Sequence, residues 1–146
     1  MASVTVEGIR ELLFDLREFP DQIQQKTVDR LSQIAYDAAR QGAGRHIRTG
    51  ALWQSVFNRP LTKTSRIVEH DRGRAPHAVF VIQGTRPHVI VPRYKQALRW
   101  PTATGFAFAK RVNHPGYAGD PYMDRAADKA LGELQNIIGT VIRESL

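Results

Sequence analysis

The stretch that decides the fold closes the chain: residues 120–142 read DPYMDRAADKALGELQNIIGTVI. Asp120 can cap a helix, and Pro121 fits the first helical position because that position needs no backbone N–H donor. The apolar residues that follow recur at helical spacing: Met123, Ala127, Ala130, Leu131, Leu134, Ile137, Ile138, Val141 and Ile142. This pattern predicts an amphipathic helix over 120–146, with an apolar stripe wide enough to cover one face of a sheet.

Helical spacing also marks the beginning of the chain, where residues 1–45 are predicted to be helical. A first helix over 6–19 is expected to end at Phe19-Pro20, since the residue before proline is pushed out of the helical region. A second helix can begin at once, because proline suits a first helical turn. Gly42 and Gly44 are expected to end it.

The middle of the chain has the pattern of short strands. β-Branched and aromatic runs cover 79–83, 88–91 and 106–112, with a weaker candidate at 67–70, and prolines and glycines separate them. Residues 71–76 are expected to form an exposed loop. The sequence therefore predicts an α+β fold, with a small, mostly antiparallel sheet packed by a long N-terminal helix and a C-terminal helix. We expect a single domain over 1–146, with strands and loops at 50–113.

Positive charge is concentrated in this middle segment. The 146 residues carry a net charge of +7, and residues 40–111 hold fourteen Lys or Arg against two acids, which gives +12 there. The flanks, 1–39 and 112–146, sum to −3 and −2. Such an excess favours a surface that faces phosphate or an acidic partner. The alternative is a solvated basic rim.

Several classes of site are excluded or disfavoured by the sequence. The chain has no cysteine, which removes disulfides, thiolate metal sites and cysteine nucleophiles. The five histidines lack the spacing of a zinc site, and no phosphate-binding glycine motif is present. No apolar run is long enough to cross a membrane, and the start of the chain lacks the features of a signal peptide. We therefore predict no metal, no cofactor and no membrane association.

Two alternatives remain from the residue types alone. A basic module could bind nucleic acid, with aromatic residues of the middle segment stacking on bases, although these aromatics could equally be core or interface residues. A metal-independent ribonuclease could use cations and acid–base side chains of the same segment. The residues of suitable type are Arg86, His88, Arg93, Tyr94, Lys95 and His114.

Four short motifs, in a fixed order, resemble a known family. The block TGALWQSV begins at Thr49, GTRP begins at Gly84, HPG begins at His114, and DPYM opens the last helix. The chain is similar in this respect to the tail-completion or neck proteins of long-tailed bacteriophages, over roughly residues 6–146. The motif positions are Thr49, Gly50, Leu52, Ser55, Gly84, Thr85, His114, Pro115, Gly116 and Pro121.

The resemblance implies a virion component without catalytic activity. Such a protein would assemble in the host cytoplasm as a homo-oligomeric ring, expected to be a hexamer, where the tail tube and the tail terminator meet the head connector. A tail terminator or a head-completion protein would share the ring. The implied contacts to viral DNA in the channel, or to an acidic neighbouring ring, come from five basic residues: Arg72, Arg74, Arg86, Arg93 and Lys95.

Overall fold

A computed structural model describes residues 19–46 and 48–146 of the chain. The fold is α+β, as predicted, with a long helix, small antiparallel sheets and a helical C-terminus. Two compact units are present. Unit 1 is formed by the chain up to Ala78 and by Pro121–Leu146, and unit 2 is Val79–Asp120. All but the last residue of the helix predicted over 6–19 lies outside the described residues, and the single domain over 1–146 stays a prediction.

The long helix α1 runs over Asp21–Gly44. It begins where the sequence predicted, directly after Pro20, whose carbonyl accepts the N–H groups of Ile23 and Gln24 at 2.9 and 3.1 Å. Gly44 is its last residue. The expectation that Gly42 would also end the helix was wrong, because Gly42 is buried inside the last turn against another helix.

The C-terminal stretch forms two helices rather than one, α4 (Tyr122–Gly132) and α5 (Leu134–Arg143), which meet at Glu133. Pro121 precedes α4 as its N-cap, without a side-chain cap hydrogen bond, instead of occupying the first helical position. The apolar stripe is buried as predicted, but both helices pack on α1 and not on a sheet. The stripe residues that are fully buried are Ala130, Leu134, Ile137 and Val141.

A strand ribbon completes unit 1. After the short helix α2 (Ala51–Ser55), strand β1 (Val56–Thr62) pairs antiparallel with β2 (Ser65–His70). Strand β2 confirms the weaker sequence candidate, whereas β1 was not predicted. The exposed loop expected at 71–76 follows β2 and is organised by Asp71, whose carboxylate accepts the Gly73 N–H at 2.8 Å.

The first element of unit 2 differs from the sequence prediction. The run at 79–83 is not a strand but part of a helix, α3 (Ala78–Gln83). A short apolar run does not distinguish a buried strand from a helical turn by periodicity alone. Here the Gly84 N–H donates to the carbonyl of Phe80 at 2.9 Å, and Gly84 ends the helix with a φ of 80°.

Two separate ribbons make up the rest of unit 2. Strand β3 (His88–Ile90) pairs antiparallel with β6 (Val112–His114), and β4 (Leu98–Thr102) pairs antiparallel with β5 (Gly105–Ala109). The strand at 88–91 is thus confirmed. The run at 106–112 is divided between β5 and β6 by Lys110 and Arg111, and β4 was not predicted.

The hydrophobic core lies entirely in unit 1. Among the described residues, every fully buried side chain belongs to that unit, and none of the 42 residues of Val79–Asp120 is fully buried. No helix within the described ranges is long and apolar enough to span a membrane. The apolar core residues are Ala39, Ala43, Leu52, Val56, Ala75, Ala78, Tyr122, Ala126, Ala130, Leu134, Ile137 and Val141.

Candidate functional site

The first motif block forms the turn that leads into α2. Gly50 caps this helix with a φ of 79°, a left-handed conformation that favours glycine. Its carbonyl accepts the N–H of Gln54 at 2.9 Å. Leu52 points into the core and Ser55 is completely buried, whereas Thr49 is exposed. The buried members of this block therefore anchor α2 to unit 1.

A buried polar network connects this block to α4. The Ser55 hydroxyl donates to the Leu52 carbonyl at 2.7 Å and lies 2.7 Å from His70 Nδ1. The Tyr122 hydroxyl lies 2.7 Å from His70 Nε2. Because the Ser55 proton is already committed to a carbonyl, this pattern places the His70 proton on Nδ1, and Nε2 then accepts from Tyr122.

The network ties elements of unit 1 together and does not form a nucleophilic site. Ser55 is 0% exposed and Tyr122 is 2% exposed, so a substrate cannot reach the hydroxyl of either residue. Both ring nitrogens of His70 are occupied by hydrogen bonds. The pKa of His70 is lowered, first by burial and then by the charge of His77. The neutral imidazole is therefore the form that the folded chain holds.

The lowered pKa of His70 predicts a stability that depends on pH. In the unfolded chain the imidazole binds a proton at its ordinary pKa of 6.5, and in the folded chain it does so only at lower pH. Stability from His70 is thus fully present above pH 6.5 and is lost as pH falls below it, by at most about 1.4 kcal/mol per pH unit. Urea unfolding at a series of pH values should show this slope in the wild type and lose it in His70→Gln. Equal slopes in the two proteins would contradict the prediction.

The second and third motifs meet in unit 2, although about 30 residues separate them in the chain. Thr85 and Tyr117 form an antiparallel bridge, with N–H···O distances of 2.7 and 2.8 Å. Gly84 and Gly116 both have positive φ, and a Cβ atom on Gly84 would lie 2.1 Å from the Tyr117 carbonyl oxygen. We call Gly84–Pro87 and His114–Tyr117 together the paired turns. Because Gly84 and Gly116 lack a Cβ atom, the two backbone segments can lie in contact.

The histidines next to the paired turns face each other across β3 and β6. The rings of His88 and His114 stack with their centroids 4.9 Å apart. His88 Nδ1 lies 2.8 Å from the Arg86 carbonyl, and His114 Nδ1 accepts the Gly116 N–H at 3.1 Å. Arg86, His88 and His114, three of the residues suited in type to a ribonuclease, are thus neighbours. The hydrogen bonds of the two histidine rings involve backbone groups of the paired turns. No group of three or more metal-ligating side chains occurs among the described residues.

The five basic residues expected to contact a partner are divided between the units. Arg72 and Arg74 lie in the loop of unit 1, where Arg74 Nη1 is 3.5 Å from the Gln54 carbonyl. Arg86, Arg93 and Lys95 lie in unit 2. All five side chains are exposed, as a partner-facing role requires.

The β4–β5 ribbon carries surface residues that the sequence analysis did not place. Phe106 and Phe108 are 54% and 66% exposed, and Trp100 is exposed as well. The Arg99 guanidinium lies 3.6 Å from the centre of the Phe106 ring. These aromatics are therefore not core residues of the described chain. The sequence shows that charged and aromatic residues alternate here. It does not show which strands are left exposed to solvent.

Comparison with protein-family models, with curated proteins and with solved structures finds no match to this chain.

Proposed function

We propose that this protein is a structural component of a long-tailed bacteriophage, which assembles as a ring at the junction between head and tail. The observation that carries the proposal is the division of burial between the units. Unit 1 has a packed core, whereas unit 2 has 42 residues and no fully buried side chain. A segment of that size without a core gains little from folding alone. It is stabilised when a partner covers it.

Exposed apolar residues in α3, in β3 and directly after β3 are available for this contact. Phe80 is 58% exposed, and Val79, Val89 and Val91 are exposed too. We call these four residues the apolar surface of unit 2. Exposed apolar side chains that lie together in one unit are typical of protein interfaces. In a ring, each subunit would cover this surface of its neighbour through a head-to-tail contact that closes on itself.

The resemblance of the motifs supports the location in the virion. They resemble, in order, the pattern of tail-completion and neck proteins, and the buried network and the paired turns give residues of each motif a structural role. The ring would contact the head connector on one side and the tail terminator or tail tube on the other, with six subunits as the expected number. Its exposed basic loops would meet DNA in the channel or an acidic neighbouring ring.

The assembly is tested with the purified protein and with tails. Mass photometry and electron microscopy should show rings, formed by the protein alone or on added tails or connectors. Particles assembled without the protein should accumulate as separate heads and tails. A protein that stays monomeric with tails present would overturn the proposal, and joined particles in its absence would do the same. The position of the ring in imaged virions separates tail completion from tail termination and head completion.

A matched pair of variants tests the apolar surface. Phe80→Ser removes a side chain of unit 2 that is 58% exposed, and Leu61→Ser removes one of unit 1 that is 53% exposed. Because neither side chain is part of the core, both variants should fold. Burying a side chain of this size contributes about 2 kcal/mol at each contact. We expect Phe80→Ser to abolish rings at concentrations where Leu61→Ser still forms them. Equal assembly of the two variants would place the subunit contact elsewhere.

A further inference from the structure

Unit 2 contains six basic residues and, from Val79 to Gly119, no Asp or Glu. None of the six forms an ion pair within the part of the chain that the structure describes. Five of them lie in β4 or in the segments that flank the β4–β5 ribbon, and we call these five the ribbon cations. They are Arg93, Lys95, Arg99, Lys110 and Arg111. So many uncompensated charges on one ribbon favour a partner of negative charge.

One face of the ribbon places rings beside these cations. Residues directly opposite each other in an antiparallel pair lie on the same face, and Arg99 pairs with Phe108 while Pro101 pairs with Phe106. The four side chains therefore share a face. The Arg99 guanidinium covers part of the Phe106 ring, and a stacked guanidinium keeps its N–H groups in its own plane, free to bind an anion.

The described helices of a second copy do not supply the negative charge. Helix α1 carries three acidic and three basic residues, and the segment from α4 to α5 also carries three of each. Asp29, Glu69 and Glu144 already pair with arginines of their own chain. A contact between copies through these described helices would thus leave the ribbon cations uncompensated. A polyanion would compensate them.

We propose that the β4–β5 ribbon binds a single strand of nucleic acid. The ribbon cations contact successive phosphates, and the exposed rings of Phe106, Phe108 and Tyr94 stack on bases. Stacking needs the faces of the bases, which are accessible in a single strand and hidden in a duplex. The site includes Arg93 and Lys95, which the proposed function already places toward DNA or an acidic ring, but it does not depend on ring assembly, since that assembly rests on the apolar surface of unit 2.

Fluorescence anisotropy with a labelled oligothymidylate of about 20 nucleotides tests the proposal. With five phosphate contacts, the slope of log affinity against log salt should be about −3.5, so that affinity falls about 100-fold between about 50 and 200 mM salt. A duplex of the same length should bind more weakly. A duplex that binds as tightly as the single strand would overturn the stacking role of the rings.

Variants with equal charge changes separate this site from general attraction to a basic protein. Arg99→Ala combined with Lys110→Ala should reduce the salt slope by about 1.4. Lys63→Ala combined with Arg48→Ala removes the same charge from exposed positions of unit 1 and should leave the slope unchanged. Phe108→Leu keeps an apolar side chain without a ring and should weaken binding about tenfold. If both double variants lose affinity equally, only net charge attracts the strand and the proposed site is wrong.

Ring assembly of the same samples distinguishes the two proposals. Arg99→Ala with Lys110→Ala should lose nucleic-acid affinity and still form rings, because the apolar surface is unchanged. The nucleic-acid site alone is wrong if wild-type protein forms rings but has no higher affinity for the oligonucleotide than for a duplex or for polyglutamate. Binding of polyglutamate as tightly as the oligonucleotide would indicate an acidic protein as the partner instead.

Discussion

Gly84→Ala is expected to break the contact between the paired turns. The substitution places a side chain on a residue with a φ of 80°, which costs about 1–2 kcal/mol for an L-residue. Its Cβ would also lie 2.1 Å from the Tyr117 carbonyl oxygen, so the backbone must move apart, which costs about 1–3 kcal/mol more. Hydrogen exchange should show that the amides of Thr85 and Tyr117, which bond across the bridge, lose their protection.

Gly50→Ala is the matched control for this prediction. Gly50 has nearly the same φ, 79°, but the nearest atom to an added Cβ is Nε2 of Gln54 at 3.4 Å, at the end of a flexible side chain. Only the conformational cost of about 1–2 kcal/mol should remain, visible as a modest loss of protection at the Gln54 amide. If the two alanines have equal effects, the close approach of the turns contributes nothing beyond backbone conformation.

Gly42→Ala is expected to destabilise unit 1 although alanine favours helix. A Cβ at residue 42 would lie 2.5 Å from Cβ and 2.8 Å from Cγ of Tyr122, so α4 must shift away from α1. Overpacking of this kind costs about 1–3 kcal/mol, and the gain in helix propensity returns about 1 kcal/mol. We expect a net loss of up to about 2 kcal/mol in urea unfolding. The shift of Tyr122 would also lengthen its hydrogen bond to His70.

Gly139→Ala makes the same change in a helix where nothing lies near. No atom lies within 4 Å of a Cβ built on Gly139, and the residue is inside α5. Without a clash, only the propensity gain of about 1 kcal/mol should be measured, as an increase in stability. A gain at both positions would mean that α1 and α4 can separate at little cost.

The helices were predictable because burial repeats along each of them. The buried apolar residues from Ala130 to Val141 keep helical spacing, although the helix is interrupted at Glu133. The strands of unit 2 lack such a signal, since no side chain there is fully buried and neither face has to be apolar. The run at 79–83 was taken for a strand because its residues favour strands. The segment is instead a helix, which the backbone hydrogen bond from Gly84 to Phe80 ends.

The buried network was not predictable from the sequence. Ser55 and His70 are 15 residues apart, and Tyr122 is 52 residues beyond His70, so no local pattern connects them. The motif resemblance singled out Ser55 without indicating its partners. The paired turns were closer to prediction, since the glycines and prolines marked both segments as turns. Their contact depends on the pairing of β3 with β6, which sequence spacing does not specify.

The chain leaves unit 1 after Ala78 and re-enters it at Pro121, so unit 2 is an insertion. Its two ends meet, because the Asp120 N–H donates to the carbonyl of Val81 at 2.9 Å. An insertion with joined ends can change in length or sequence at little entropic cost to the domain that carries it. Unit 2 thus has the topology of an exchangeable cassette. Its surface can diverge to suit a new partner while the helices that hold it keep their packing.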